Sequence, residues 1–222
     1  MPARTIRIIG DPVLYAVSEP VGEVDDTTIS LIKDMVDTMK AHAGAGLAAS
    51  QVGFNKRIVV IDCSEIPGGN PLPMEDDDQV LVLINPSLTL GSQKVRWREA
   101  CLSVPGVSGH VERSDHVIVD CLNTSGDTCQ LDLGWPLAGI VQHECDHLDG
   151  ILYPQRMSQL SRKMLFKKLG RFRKKVEKAY KARMEHEQPA SKSTRPRNMK
   201  AKKTRRQNSK AARVSRRASR SR

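Results

Sequence analysis

The chain has 222 residues, enough for one globular domain with an appendage, and its 39% hydrophobic content excludes a wholly disordered protein. Its charge is uneven: residues 1–154 carry a net −12, residues 155–186 carry +10 and residues 187–222 carry +13. An acidic body with a basic C-terminal third is typical of proteins that meet a polyanion, either nucleic acid or an anionic membrane surface.

The five cysteines are odd in number and follow no disulfide-framework spacing, so a disulfide-stapled secreted fold is disfavoured. The first ten residues lack the apolar core of a secretory signal. No stretch approaches the ~18 consecutive apolar residues of a membrane-spanning helix. We therefore expect a cytoplasmic protein with reduced thiols.

In chain order, the first predicted helix follows Asp25-Asp26-Thr27-Thr28, where Thr27 or Thr28 can cap it. Apolar residues recur at helical spacing from Ile29 to Met39, and the pattern ends before Gly44-Ala45-Gly46. The glycines there permit a positive φ or a close approach to the backbone.

Short runs rich in Val, Ile and Leu then predict strands, and Gly68–Asp78 reads as a surface loop. The connections are mostly too short for repeated βαβ units, so we expect antiparallel or mixed sheets and an α+β fold. The predicted strands are Arg57–Asp62, Gln79–Asn85, Val95–Arg98, Val117–Leu122 and Cys129–Leu133.

A second helix is predicted from Trp135-Pro136 to Asp149, ending at Gly150. A third, cationic helix begins near Ser158 and carries one apolar stripe. From about Gln188 the sequence has almost no large apolar residue, which predicts a disordered basic tail. The stripe comprises Met157, Leu160, Met164, Leu169, Phe172, Val176 and Ala179.

The second predicted helix contains the sequence H-E-x-x-H at residues 143–147. Because each helical residue turns ~100°, His143 and His147 lie one turn apart on one face and can bind one metal. Glu144 projects beside them and can take a proton from water activated by that metal. Cys145 points to the opposite face, as a core thiol would. The alternative is a helix with two ordinary histidines, since such matches also arise by chance.

A zinc-like catalytic site needs a third protein ligand and one open position. No third histidine follows His147 at a useful spacing, so the ligand is sought upstream. Cys101, in the segment Glu99–Gly106, is the candidate, because a thiolate binds such metals strongly. An isolated cysteine would otherwise be read as a small core residue.

Three segments together resemble the ordered motifs of the peptide deformylase family, over roughly residues 5–185. Its members remove the N-formyl group from the initiator methionine of new polypeptides. The motifs are Gly44–Gln51, which resembles G-φ-G-φ-A-A-x-Q; Glu99–Ser103, which resembles E-G-C-φ-S; and Gln142–Gly150, which resembles Q-H-E-x-D-H-L-x-G.

The resemblance implies that Cys101, His143 and His147 hold one metal, commonly Fe²⁺ in the family. Ligand chemistry alone does not separate Fe²⁺ from Zn²⁺, Ni²⁺ or Co²⁺. The resemblance further implies that Glu144 accepts the proton of the attacking water and delivers it to the leaving amine. The remaining implied roles are stabilisation of the oxyanion by the Gln51 side chain and the Leu102 backbone N–H, and close passage of the substrate at Gly46.

We expect a central metal-binding H-E-x-x-H helix surrounded by the sheets, in a catalytic domain of residues 1–154. A basic amphipathic helix (155–186) and the disordered tail (187–222) follow. Arg113 is expected to pair with Asp146 behind the metal. Expected partners are formyl-methionyl nascent chains and, through the basic region, the ribosome and its RNA; no membrane is expected, and the chain is expected to be a monomer.

The sequence departs from the family pattern at Ala100, where glycine is usual, and in the long basic tail. If position 100 needs a positive φ, alanine costs on the order of 1–2 kcal/mol; if φ is negative, its methyl group crowds the substrate path. Two alternatives remain: a related metallo-amidase with another acyl specificity, and a ribosome- or RNA-binding protein with weakened catalysis.

Overall fold

The computed structural model describes residues 3–67, 70–72 and 79–187. One compact unit ends at Ala179, and residues from Tyr180 onward belong to a second. The helices are α1 (Asp26–Ala41), α2 (Leu137–Leu148), α3 (Tyr153–Arg156) and α4 (Gln159–Glu187). The strands are β1 (Gly46–Ala48), β2 (Ile58–Asp62), β3 (Val80–Leu90), β4 (Lys94–Cys101), β5 (Val104–Ser114), β6 (His116–Leu122) and β7 (Thr128–Gly134).

The strands form a five-stranded sheet in the order β1-β2-β3-β6-β7 and a separate β4-β5 ribbon. Every pairing between these strands is antiparallel, as the short connections predicted. Side chains alternate across the five-stranded sheet. Val59 and Ile61 of β2 join the core beneath α2, whereas Ile58 and Val60 join the core beneath α1. The sheet therefore lies between the two helices.

The ends of the predicted helices need three corrections. Asp25, and neither threonine, is the N-cap of α1: its carboxylate accepts the backbone N–H of Thr28 at 2.8 Å, and the hydroxyls of Thr27 and Thr28 also donate to it. Helix α2 begins at Leu137, after Pro136. It ends at Leu148, one residue before the predicted Asp149, which is the C-cap, and Gly150 follows with a φ of +71°.

Strand β5 was not predicted, because Pro105, Gly106, Ser108 and Gly109 break any run of β-forming residues. The glycines have a tertiary explanation. A Cβ at Gly106 would lie 2.5 Å from the ring of Phe172, and a Cβ at Gly109 would lie 2.5 Å from Met157. The two glycines therefore leave room for Phe172 of α4 and for Met157, which precedes that helix.

The predicted apolar stripe is confirmed in part: Leu169 is buried, Met157 packs against the same cluster, and the Phe172 ring lies against Gly106. Leu165 and Leu169 are buried in a cluster with Leu14 and Val104, whereas Leu160 and Met164 are exposed. Within α4, the packed positions thus start at residue 165. The tail from residue 188 and most of the Gly68–Asp78 loop lie outside the described residues. No helix in the described part of the chain is both long enough and apolar enough to cross a membrane.

Gly150 provides a test of how α2 ends. A Cβ there would lie 2.6 Å from the carbonyl oxygen of Tyr15, and the positive φ adds backbone strain. We expect Gly150→Ala to lower the free energy of unfolding by more than about 2 kcal/mol, measured by urea denaturation of the metal-loaded protein.

Gly126 is the matched control, because its φ is +85° but its nearest neighbour would be a Val24 methyl at 3.8 Å. Gly126→Ala should show the conformational strain alone, about 1 kcal/mol. Equal losses for the two variants would contradict the steric explanation.

Candidate metal centre

Three ligand atoms meet at the C-terminal half of α2. The ligand atoms of Cys101, His143 and His147 all lie within 4.8 Å of one another. The Cys101 Sγ is 3.2 Å from the His147 Nε2. The helical spacing brings the two histidines to one face, and the end of β4 supplies the cysteine, so the site is not built from the H-E-x-x-H helix alone.

The surroundings of the two histidines fit a metal ion. The Nδ1 of His147 is buried without a hydrogen-bond partner. Burial, with His143 and Arg113 nearby, holds the pKa of His147 well below its usual value, so its ring is neutral and can donate a lone pair. One thiolate and two imidazoles are a donor set that suits several divalent transition metals.

His143 stands in a negative field. Burial alone would lower its pKa, but Cys101, Glu99 and Glu144 raise the pKa well above its usual value. The His143 Nδ1 lies 2.7 Å from Glu99 Oε2, so Nδ1 carries the proton and Nε2 faces Cys101. The charges that attract a second proton to this ring also favour a bound cation.

Glu144 is buried beside the histidines, and its Oε2 lacks a hydrogen-bond partner among the described residues. Burial raises the pKa of Glu144 to about 7. A carboxyl group with that pKa can accept and release a proton near neutral pH. A Cβ at Gly46 would lie 2.7 Å from Glu144 Oε1, so the glycine leaves the space that this carboxyl group fills.

Gln51 is held in one orientation. Its Oε1 accepts the backbone N–H of Ala48 at 2.8 Å. Its Nε2 donates to Ser103 Oγ at 3.2 Å and lies 3.5 Å from Cys101 Sγ. The amide therefore presents its N–H groups toward Ser103 and Cys101.

These groups share a cavity of about 430 Å³, which is large enough for a short peptide segment. His147 is not among the lining residues. Of the residues singled out from the sequence, those that line the cavity are Gly46, Gln51, Ala100, Cys101, Leu102, His143 and Glu144.

Ala100 does not have a positive φ; among the described non-glycine residues, only Ala43 and Asn85 do. Its backbone pairs with Ser108 in the β4–β5 ribbon, and its side chain is at the cavity wall. The alanine thus carries no backbone strain, and its methyl group takes up space in the cavity.

The sequence analysis missed the part played by Glu99. It accepts hydrogen bonds from Arg113 Nε at 2.7 Å and Nη2 at 3.0 Å, in addition to His143. Burial alone would raise the pKa of Glu99, but the hydrogen bonds from His143 and Arg113 lower this pKa to about 2. Strand alternation gave a signal, because residues 99 and 101 share one face of β4.

The predicted pairing of Arg113 with Asp146 is confirmed, with Nη1 2.6 Å from Oδ2. Asp146 also accepts a hydrogen bond from Arg156 at 2.6 Å. The pairing of Arg113 with Asp146 could be predicted from the sequence. That Arg113 also pairs with Glu99 could not.

Comparison with known proteins places this site in a family. The polypeptide deformylase family model matches residues 3–163. A peptide deformylase of Halothermothrix orenii is 41% identical over 165 residues, covering 74% of this chain and 100% of the relative. Peptide deformylase 1 of Prochlorococcus marinus is 44% identical over 163 residues, covering 71% and 82%.

Solved structures agree. The peptide deformylase of Ehrlichia chaffeensis matches with a TM-score of 0.70 and 32% identity, covering 79% of this chain and 99% of that one. The same enzyme in complex with actinonin matches with a TM-score of 0.68 and 34% identity, covering 79% and 98%. The chain belongs to the peptide deformylase family, and is a metal-dependent hydrolase that acts on the N-formyl amide.

The buried ion pairs behind the metal centre can be tested. Replacing Arg113 with methionine would leave Glu99 and Asp146 buried without their shared cation. We expect Arg113→Met to lower the free energy of unfolding by about 3–5 kcal/mol, measured by denaturant unfolding.

Arg96 is the control, since it is exposed on the same ribbon. Arg96→Met should change stability by less than about 0.5 kcal/mol. A loss at Arg113 no larger than this would show that the paired charges do not hold β4, β5 and α2 together.

Proposed function

We propose that this deformylase hydrolyses the formyl group of N-terminal formyl-methionine with Cys101, His143 and His147 as metal ligands and Glu144 as the proton carrier. The observation that carries the proposal is that the ligand atoms of Cys101, His143 and His147 lie within 4.8 Å of one another, where Cys101, His143 and the buried Glu144 line one cavity. Fe²⁺ is the proposed metal, and the same donors accommodate Zn²⁺, Ni²⁺ or Co²⁺.

A divalent metal in this position would polarise the formyl carbonyl and lower the pKa of a water molecule. Glu144 accepts the proton from that water and delivers it to the departing amine. Its pKa of about 7 suits both transfers, because the carboxylate and the acid are close in free energy at neutral pH.

The oxyanion that develops on the formyl group needs donors that are already in place. Gln51 qualifies, because Ala48 and Ser103 hold its amide and its Nε2 lies beside Cys101. The backbone N–H of Leu102, next to the cysteine, is the second proposed donor. Substrate backbone passes at Gly46, which lines the cavity.

The direct test is turnover of a formyl-methionyl peptide by anaerobically purified protein, with the metal measured on the same sample. Formate should be released from the formylated peptide and no acid from an acetylated one. Glu144→Ala should retain the metal and lower kcat by ~10²-fold or more. Preferential release of acetate would favour the metallo-amidase alternative.

Gly46→Ala tests the same carboxyl group without removing it. Its Cβ would displace Glu144, so we expect a loss of kcat approaching that of Glu144→Ala. Gly44→Ala is the matched control, because its Cβ would meet the movable end of Leu102 at 3.1 Å and the Gly46 carbonyl oxygen at an ordinary contact distance of 3.4 Å. Equal activity of the two glycine variants would show that catalysis does not depend on the position of the Glu144 carboxyl group.

Cys101→Ser tests the ligand set. Replacing the thiolate with a hydroxyl weakens binding of a borderline-soft metal. We expect the variant to fold, to bind metal more weakly in a chelator competition and to show an altered Co²⁺ absorption spectrum. Cys129→Ser is the control, since Cys129 lies in β7 away from the ligands. Unchanged metal affinity in Cys101→Ser would exclude the cysteine as a ligand.

We also propose that the basic region docks the enzyme on the ribosome. The nascent substrate emerges there, and the ribosome surface is rich in RNA phosphate, which would repel an acidic body of −12. Helix α4 buries Leu165 and Leu169 on one face and exposes Lys163, Lys167, Lys168, Arg171, Lys174 and Lys175 elsewhere. Since nascent chains are met where they are translated, the proposed location is the cytoplasm.

Docking should be salt-sensitive and independent of RNA sequence, because the tail has no aromatic residue for base stacking. A chain ending at residue 186 loses a net charge of +13. We expect it to keep peptide turnover and to bind ribosomes more weakly, measured by co-sedimentation over a salt series.

Charge-reversed variants separate position from total charge. Lys167→Glu/Lys174→Glu on α4 should weaken binding more than the equally charged Lys33→Glu/Lys94→Glu, whose lysines are exposed on the body.

Equal binding by the full chain and the chain ending at residue 186 at every salt concentration would refute a docking role for the tail.

A further inference from the structure

Two cysteines face each other across neighbouring strands, away from the metal centre. Cys121 of β6 is directly opposite Cys129 of β7 in the antiparallel register. Their sulfur atoms are 3.2 Å apart, and both are free thiols. The Cys129 thiol also lies 3.6 Å from the backbone oxygen of Cys121.

The strand register places these cysteines within bonding geometry. Directly opposed residues in antiparallel strands have Cα atoms about 4.5–5.5 Å apart, inside the range of about 4.4–6.8 Å that disulfides span. The sulfur atoms need to approach by little more than ~1 Å to reach the S–S bond length of about 2.05 Å. Side-chain rotation can supply this without a change in strand pairing.

The pair is also open to a reagent. Both cysteines line a surface cleft of about 600 Å³, with Ser87, Asp120 and Gln130 among its other walls. Cys121 is 6% exposed, and Cys129 is more exposed than that. Cys63 and Cys145 are buried in the core at 0% and 4%. Outside the metal centre, Cys129 is therefore the most accessible thiol of the described residues.

We propose that Cys121 and Cys129 form a thiol–disulfide exchange site for a small disulfide such as oxidised glutathione. The reagent oxidises the two thiols to a disulfide that links β6 and β7. The thiolate of Cys129 attacks the reagent, forms a mixed disulfide and releases one thiolate. The thiolate of Cys121 then attacks the Cys129 sulfur and releases the second. Two protein thiols lose two electrons and two protons, and one small disulfide becomes two thiols.

The order of the two steps follows from the surroundings of each thiol. Burial, the hydrogen bond with Cys129 and the negative charge of a Cys129 thiolate raise the pKa of Cys121, so Cys121 does not start the reaction. Once Cys129 is a neutral mixed disulfide, its charge no longer opposes ionisation of Cys121. The first step thereby prepares the second.

The disulfide would constrain the strands that precede α2, the helix that carries His143 and His147. Strand β7 ends at Gly134, and α2 begins at Leu137. A disulfide between residues 121 and 129 would close the β6–β7 hairpin and restrict the unfolded chain. Neither cysteine lines the substrate cavity, so the oxidised enzyme should keep its turnover.

The test uses the full-length, metal-loaded enzyme incubated with oxidised glutathione, followed by alkylation, proteolysis and mass spectrometry. We expect each chain to lose two hydrogen atoms and to yield one cross-linked peptide pair that joins residues 121 and 129. The unfolding temperature should rise by about 5 °C and return on reduction with dithiothreitol.

Cys129→Ser should form no cross-link and show no oxidation-dependent rise in unfolding temperature. Cys121→Ala, which removes the buried partner, should stop at a lasting glutathione adduct on Cys129. A lasting adduct on Cys129 in the wild type, a cross-link elsewhere, or no modification at all would overturn the proposal. So would a cross-link at these residues without the rise in unfolding temperature.

Discussion

The guanidinium group of Arg113, shared between Glu99 and Asp146, is the interaction on which the site depends. All three residues are at most 6% exposed, so each charge is tolerable only because the others are in place. Glu99 is on β4 two residues before Cys101, the proposed thiolate ligand, and Asp146 is on α2 between the two histidines in sequence. The paired charges thus fix the strand that carries the thiol relative to the helix that carries the imidazoles.

The network also sets the electrostatics of the metal centre. Arg113 keeps Glu99 ionised, and Glu99 orients His143 by accepting a hydrogen bond from its Nδ1–H. The negative charge that results favours a cation between the histidines, as carboxylate–histidine pairs do at metal sites generally. It also contributes, after burial, to the raised pKa of Glu144. The structural ion pair, the orientation of His143 and part of the raised pKa of Glu144 therefore share one cause.

The sequence revealed most where the controlling geometry is local. The spacing of His143 and His147 needs only the helical repeat to place both on one face. Cys101 needed the order of three motifs, since its neighbours in space are 42 and 46 residues away along the chain. Strand β5 could not be found from its own residues, because Gly106 and Gly109 are explained only by Phe172 and Met157 packing against them. The α4 stripe was wrong at Leu160 and Met164, which are exposed, and it omitted Leu165, because the helical repeat allows several faces and the packing of the core selects one.

Helix α4 joins the two halves of the proposed function. Its ring at Phe172 lies against Gly106, which lines the substrate cavity, and Leu165 packs in the cluster that contains Val104 of the same wall. The lysines that would meet RNA are on the remaining, exposed surface of this helix. One element therefore supports the cavity through its apolar face and is free to bind phosphate through its charged one. Because the two faces use different residues, charge reversal can change docking while the wall behind the substrate stays intact.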